Sequence, residues 1–384
     1  MSLEELATAI GNIVTRQSLH KYEKGQAKPS AVVLNRIAKV LQVNPLNLWQ
    51  EPTAQIELVA YRKHAKMSKG SQESVQSLVA TSLEERIRLQ KLLELEIAEL
   101  PVRAFRIDSV EDAERAAAEL RGLWNLGVDA ICSLTTVLED HQIHVIEIEA
   151  DEKFDGLSAI AEEDGKMIAA AVVTRQGVPG DRQRLNLGHE LGHIVLDIAE
   201  GVDEEKAAFR FAGAFLAPIE LLQREVGTHR TAIGLAELEL LKKKVGLSVQ
   251  ALLHRLHDIN IISDEHYNGW WTRIGQYGWR RKELGEPLAP ERAQWLQSAT
   301  LRALAEGLIS SQDARTLIGD LVPEAKIPFS LAEKRAFLQL PETERRRILQ
   351  EQAQSAAEEY RSVDWKEWEA ADTPLPAYNQ GVED

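Results

Sequence analysis

Two histidines four residues apart, with a glutamate directly after the first, form the segment most able to do chemistry: His189-Glu190-Leu191-Gly192-His193. Four residues is just over one helical turn, so on a helix both imidazoles point from one face toward a single ion. Zinc fits such a donor pair at about 2.0–2.1 Å. Glu190, roughly 100° further round the helix, faces a water bound there instead of the ion. Zinc brings the pKa of that water to about 7, and a carboxylate beside it can take the proton as the water attacks a polarised peptide carbonyl. The motif is the metallopeptidase signature H-E-x-x-H. A third ligand is still needed, and the acidic stretch that follows offers Glu200, Asp203, Glu204 and Glu205. One cysteine, Cys132, excludes an internal disulfide and a Cys-rich metal site, so any metal is held by His and carboxylate.

These residues need a helix behind a small sheet. Apolar Leu185, Leu187, Leu191, Ile194 and Val195 predict a helix from about Arg182 to Ala199. Before it lie β-rich IHVIEIE (143–149), a short strand near Leu157–Ile160 and MIAAAVVT (167–174). Helices are expected over 111–124, 131–140, about Glu204 to Phe215, and onward to about residue 320. Upstream, a strand around Ile56–Tyr61 precedes a helical pattern from Gln72 to about Leu100, ended by Pro101.

Length and charge bound the rest. The chain has 384 residues, enough for two or three domains, and a net charge of −15 that argues against broad non-specific DNA binding. Residues 1–52 break the trend with six basic side chains against four acidic ones. No stretch approaches the roughly 18 apolar residues of a membrane span, and the start lacks the character of a signal peptide, so a cytoplasmic location is expected. From Pro323 the chain changes character, with Arg345 to Arg347 and the pair Trp365 and Trp368 in a helical appendage.

DRQRLNLGHELGHIVL followed by EEKAAFRFAGAFLAP resembles the ImmA/IrrE family of metallopeptidases. The second phrase in that family has the form E-x-x-A-x-x-F-A with its Glu on zinc, and Glu205, Ala208, Phe211 and Ala212 fill it. The resemblance implies a zincin-like core, Zn²⁺ as cofactor, His189, His193 and Glu205 as ligands, and Glu190 as catalytic base. It runs on over roughly residues 100–320. Phe209 stands four residues after Glu205, where some glutamate zincins place an Asp that orients an imidazole; Asp197 is the stand-in candidate. His229, Arg230, His266 and Tyr267 lie in matching segments without an assigned role. Trp270, Trp271, Tyr277 and Trp279 are expected in the core.

The segment SLEELATAIGNIVTRQSLHKYEKGQAKPSAVVLNRIAKVL resembles the Cro/lambda-repressor (XRE) type of helix-turn-helix. Thr15 to Glu23 is then the recognition helix, with Arg16 and Gln17 toward bases and Ser18, His20 and Lys21 nearer phosphates. The family carries a full helix before this segment, where the chain has only Met1 and Ser2. An upstream natural start, or a missing first helix, is the expectation drawn from that difference. The tail resembles, more loosely, those of small antitoxin-like proteins.

The reading is thus a mainly α fold with a small β-sheet: an all-α helix-turn-helix domain (1–52), a connecting strand and helical region (53–110), an α+β zincin-like metallopeptidase domain (111–320) and a helical partner-binding tail (321–384). The expected function is a DNA-binding transcriptional regulator fused to a zinc endopeptidase that cleaves a repressor or helix-turn-helix protein. Its expected partners are operator DNA, that protein substrate, a second copy in a homodimer, and a toxin-like partner for the tail, with no membrane. The alternative is a non-proteolytic regulator or antitoxin-like protein whose zincin core is a sensor or scaffold.

Overall fold

A computed structural model of the chain describes residues 1–41, 54–59, 69–95, 100–151, 154–279, 284–322, 337, 339–341 and 344–347. The chain divides into two units, one of residues 1–303 with 310–322, the other of 304–309 with 323–384. In the second, residues 344–347 make a helical turn in which Arg347 pairs with Glu344 at 2.8 Å. Trp365, Trp368 and the basic turn Arg62 to His64 fall outside the described residues.

In the head, α1 (Leu3–Ala9), α2 (Arg16–Glu23) and α3 (Ala31–Leu41) enclose a cluster of Ala7, Ile10, Leu19, Val33 and Ile37. Local chemistry marks the boundaries. Ser2 and Glu5 form a reciprocal capping box at the start of α1, and the Thr15 hydroxyl accepts the Ser18 amide at the start of α2. Gly11, at φ 80°, turns the chain after α1 in a conformation that costs other residues strain.

The body then runs through β1 (Gln55–Val59), α4 (Lys69–Leu92), β2 (Phe105–Ile107), α5 (Ala113–Leu123), α6 (Leu134–Asp140), β3 (Ile143–Ile148), β4 (Gly156–Glu163), β5 (Lys166–Arg175) and α7 (Gly180–Val195). It continues with β6 (Leu196–Ile198), α8 (Glu204–Leu216), α9 (Ile219–Val226), α10 (Leu235–Val245), α11 (Val249–Asp258), α12 (Asp264–Gln276), α13 (Trp295–Ala305) and α14 (Ser311–Ile318). The main sheet has the order β1-β4-β5-β3, with β3 parallel to β5 and the other pairs antiparallel.

Alternation sorts the strand residues to two faces. Ile143, Val145, Ile160, Ala170 and Val172 face the large core shared with α5 to α8. Ile146, Ile148, Leu157, Ala159, Ala171 and Val173 face α4, which meets them with Val75, Val79, Leu83 and Ile87 at intervals of four. Residues that the sequence assigns to a connecting region therefore supply an edge strand and the helix that covers one face.

The structure corrects two boundaries. The helix expected to reach Leu100 ends at Leu92, followed by a turn in which Glu94 takes φ 49°. The helix expected to reach Ala199 stops at Val195, because Leu196 turns extended and Leu196–Ile198 pairs in parallel with Phe105–Ile107. Three-residue strands carry too little alternation to be read in sequence, and this one is set by its distant partner.

Candidate metal centre

The position of α7 is over-determined. Its first residue, Gly180, lies against the 288–289 backbone, where a Cβ would sit 2.1 Å from the Ala289 carbonyl oxygen. Asp181 pairs with Lys242 of α10 at 2.5 Å, both side chains 2% exposed. One turn on, Arg184 pairs with Glu291, whose carboxylate also accepts from Thr135. Such buried pairs contribute geometry more than net stability.

Along its other face α7 packs on α8 through small residues. A Cβ on Gly188 would lie 3.2 Å from that of Ala212, and a Cβ on Gly192 would lie 3.2 Å from the Ala208 Cα. Gly188 and Gly192 are one turn apart, as are Ala208 and Ala212, so two small stripes mesh and the helix axes approach closely. That approach carries Glu205, at the start of α8, to the two histidines of α7.

The His189 and His193 Nε2 atoms stand 3.1 Å apart, and the Glu205 carboxylate oxygens are 3.7 and 3.6 Å from them. Ligands of a tetrahedral zinc at about 2.0–2.1 Å lie roughly 3.3–3.4 Å from one another. One donor atom from each side chain, two imidazole nitrogens and a carboxylate oxygen, lies within 4.8 Å of the other two, a grouping whose chemistry fits such an ion. Of the four acidic candidates, Glu205 alone joins this group among the described residues; Asp203 caps α8 by accepting the Lys206 amide, and Glu200 is exposed at the preceding turn.

Glu204 has a different place. Its carboxylate lies 3.3 Å from His193 Nδ1, on the far side of that ring from Glu205. A carboxylate there favours the tautomer with its proton on Nδ1, the one whose Nε2 lone pair can coordinate a metal. Asp197, the candidate for that task, instead sits on β6 with its carboxylate 3.1 Å from Arg106. Phe209 lies against the His189 ring, tilted by 42° at a 4.1 Å centroid distance, and is 49% exposed, forming an apolar wall beside the donors.

Glu190 is almost buried and is held by β4. Ser158 donates to its Oε2 at 2.6 Å and also reaches its backbone carbonyl at 2.9 Å. Gly156 leaves the room the carboxylate occupies, since a Cβ there would lie 2.7 Å from Glu190 Oε1. Neither residue is singled out by sequence reading. Only the register of β4 against α7 gives them a role.

A peptidase family model, described as an IrrE N-terminal-like domain, matches residues 138–257, and a model described as Helix-turn-helix matches residues 1–48. The chain joins a helix-turn-helix domain to an IrrE N-terminal-like domain. No curated protein gave a match. The IrrE-like domain spans the end of α6 to the end of α11 and contains His189, Glu190, His193 and Glu205. Of the residues without an assigned role, His229 is exposed, and the other three are engaged in structural contacts. His266 accepts from the Ile233 amide and the Trp270 indole, Arg230 pairs with Glu237, and the Tyr267 hydroxyl meets His254 at 2.7 Å. Trp270 is buried, Trp271 and Trp279 pack on the core, and Tyr277 is instead 66% exposed.

In the helix-turn-helix domain, Leu19 and Tyr22 of α2 face the core. Arg16, Gln17, His20 and Lys21 are exposed, with Arg16 3.5 Å from Glu4. Ser18 is half-buried and its hydroxyl lies 3.1 Å from that of Thr15, so it serves the helix start. No helix of the described residues is long and apolar enough to cross a membrane.

Proposed function

We propose that the chain is a transcriptional regulator that carries a zinc-dependent endopeptidase and cleaves a repressor-type or helix-turn-helix protein. The observation that carries this reading is the meeting of His189, His193 and Glu205, whose donor atoms lie within 4.8 Å of one another, with Glu190 held alongside them. His189 and His193 through Nε2, and Glu205 through a carboxylate oxygen, would hold the ion. When bound, zinc supplies Lewis-acid activation of water and of a peptide carbonyl.

The chain's own residues do the rest. Glu190 takes the proton of the attacking water on its carboxylate and passes it to the departing amide nitrogen. Ser158, donating to Oε2, holds that carboxylate in one rotamer. Glu204 keeps the His193 ring oriented. At the other end, Arg16 and Gln17 of α2 read base edges while His20 and Lys21 lie toward phosphates, with Ser18 holding the start of that helix and two heads of a homodimer on paired half-sites. The tail is assigned to a toxin-like protein partner.

The test is cleavage of helix-turn-helix proteins encoded beside this chain by the purified zinc-loaded protein, with Glu190→Gln as control. Cleavage by the wild type, and none by a Glu190→Gln protein of equal zinc content, is expected. Equal cleavage by both rejects the mechanism. Zinc-loaded wild type that cleaves no such protein favours a non-proteolytic regulator with the zincin core as sensor or scaffold.

A further inference from the structure

β1 is the least anchored strand of its sheet. None of its five residues is buried, whereas most of β4 and β5 is. It belongs to the stretch between the helix-turn-helix and the IrrE-like match, outside both. Yet it covers the β4 edge along its whole length, antiparallel, from Gln55 opposite Glu162 to Val59 opposite Ser158. Ser158 is the residue that holds Glu190. The strand therefore runs along the edge toward the candidate catalytic carboxylate and reaches the position bonded to it.

Without β1, the β4 edge presents a row of backbone donors and acceptors, the template on which extended peptides add as a further strand. We propose that this edge is a peptide-binding surface of the metal centre and that β1 is its internal occupant, standing where an extended substrate segment adds. The proposal rests on the peptidase reading for the purpose of the capture, and not for the capture itself. The contacts of β1 define what the edge accepts. Ile56 and Leu58 pack on the α4 side of the sheet, Val59 packs on the opposite side, and between them Glu57 reaches Arg103 at 3.4 Å. The partner is an extended segment with apolar residues two apart and an acidic residue between them, running antiparallel to β4.

A tethered strand competes at an effective concentration in the millimolar range for short links, so a free peptide at micromolar concentration is excluded while β1 is seated. The experiment uses the full chain with Glu190→Gln, which removes hydrolysis, and a fluorescent peptide with the sequence of residues 54–59. Fluorescence anisotropy gives its affinity, and hydrogen exchange reports the β4 amides. Ile56→Asp with Leu58→Asp, which weakens the seating of β1, should bind the peptide at least tenfold more tightly than the chain with intact β1, and the bound peptide should restore protection of the β4 amides. The proposal is overturned if those amides lose protection and the peptide binds no better, or if it binds without protecting them. Should the double variant lose its fold by circular dichroism, Glu57→Lys decides, since it sets a like charge against Arg103 and loosens β1. That variant should bind the peptide that keeps its Glu a few-fold more tightly than the chain with intact β1, and unchanged binding overturns the proposal. Hydrolysis is not read, so absence of cleavage by the zinc-loaded wild type counts against the peptidase reading alone.

Discussion

Replacing Gly192 by Ala tests whether the close approach of α7 and α8 builds the metal centre. A helical Gly→Ala change by itself stabilises by about 0.5–1 kcal/mol. At Gly192 the new Cβ would meet the Ala208 Cα and a Phe211 ring carbon at 3.2 Å each, and backbone at that distance gives way only by a shift of a few tenths of an ångström. Overpacking of this kind costs about 1–3 kcal/mol. Gly269→Ala on α12 is the matched control, since a Cβ there has nothing within 4 Å. Both changes share the propensity gain, so the two variants should differ by about 1–3 kcal/mol. At roughly 2–4 °C per kcal/mol for a domain of this size, Gly192→Ala should melt roughly 2–12 °C below Gly269→Ala. Metal binding should follow, because Glu205 lies one turn before Ala208 and a zinc site tolerates ligand errors of only about 0.2 Å. A loss of zinc affinity on the order of tenfold is expected, measured against a competing chelator. If Gly192→Ala melts with the control and keeps its zinc, the helices do not meet through that glycine and the account of how Glu205 reaches the histidines is wrong.

Metal analysis separates ligands from their supports. About one zinc per chain is expected, lost in His189→Ala and strongly weakened in Glu205→Ala, while Glu204→Ala should lower affinity about 10–100-fold without abolishing it. Undiminished zinc in His189→Ala rejects the site, and Glu204→Ala losing more than Glu205→Ala exchanges their roles. Acid stability should depend on Glu114: burial pushes its carboxyl up, but hydrogen bonds and charges from Arg255 and Arg210 more than offset this and leave it below its ordinary value of 4.5. Its stabilisation is therefore complete above that value and is lost as pH falls through the lower folded value. Glu114→Gln should cost about 3 kcal/mol at pH 7, because Arg255 is 2% exposed, and should flatten the acid limb of a pH-dependent denaturation series. In DNA binding, Arg16→Ala should cost about 1–3 kcal/mol at a cognate site and relax base preference, whereas Lys21→Ala should weaken all sequences about equally and reduce the salt slope.

What sequence determined here is what one helix or one strand decides alone. The His189 to His193 spacing places two imidazoles on one face in any α-helix. The alternation in 143–149 and 167–174 likewise fits strands in any sheet. The acidic stretch is different: on residue chemistry Glu200, Asp203, Glu204 and Glu205 are equivalent, and the family phrase rather than their spacing points to Glu205. In the structure the choice follows from the rotation of α8 against α7, which the meshing of Gly188 and Gly192 with Ala208 and Ala212 sets. That rotation turns Glu205 toward both Nε2 atoms and Glu204 toward the back of His193. Ser158 and Gly156 lie some thirty residues from Glu190, and their register on β4 gives them their contact with it. Asp197 left the candidate list because a parallel pairing with β2 ended α7 at Val195. Short-range periodicity is written into each segment, but a contact between segments depends on the interlocking of surfaces that no single segment contains.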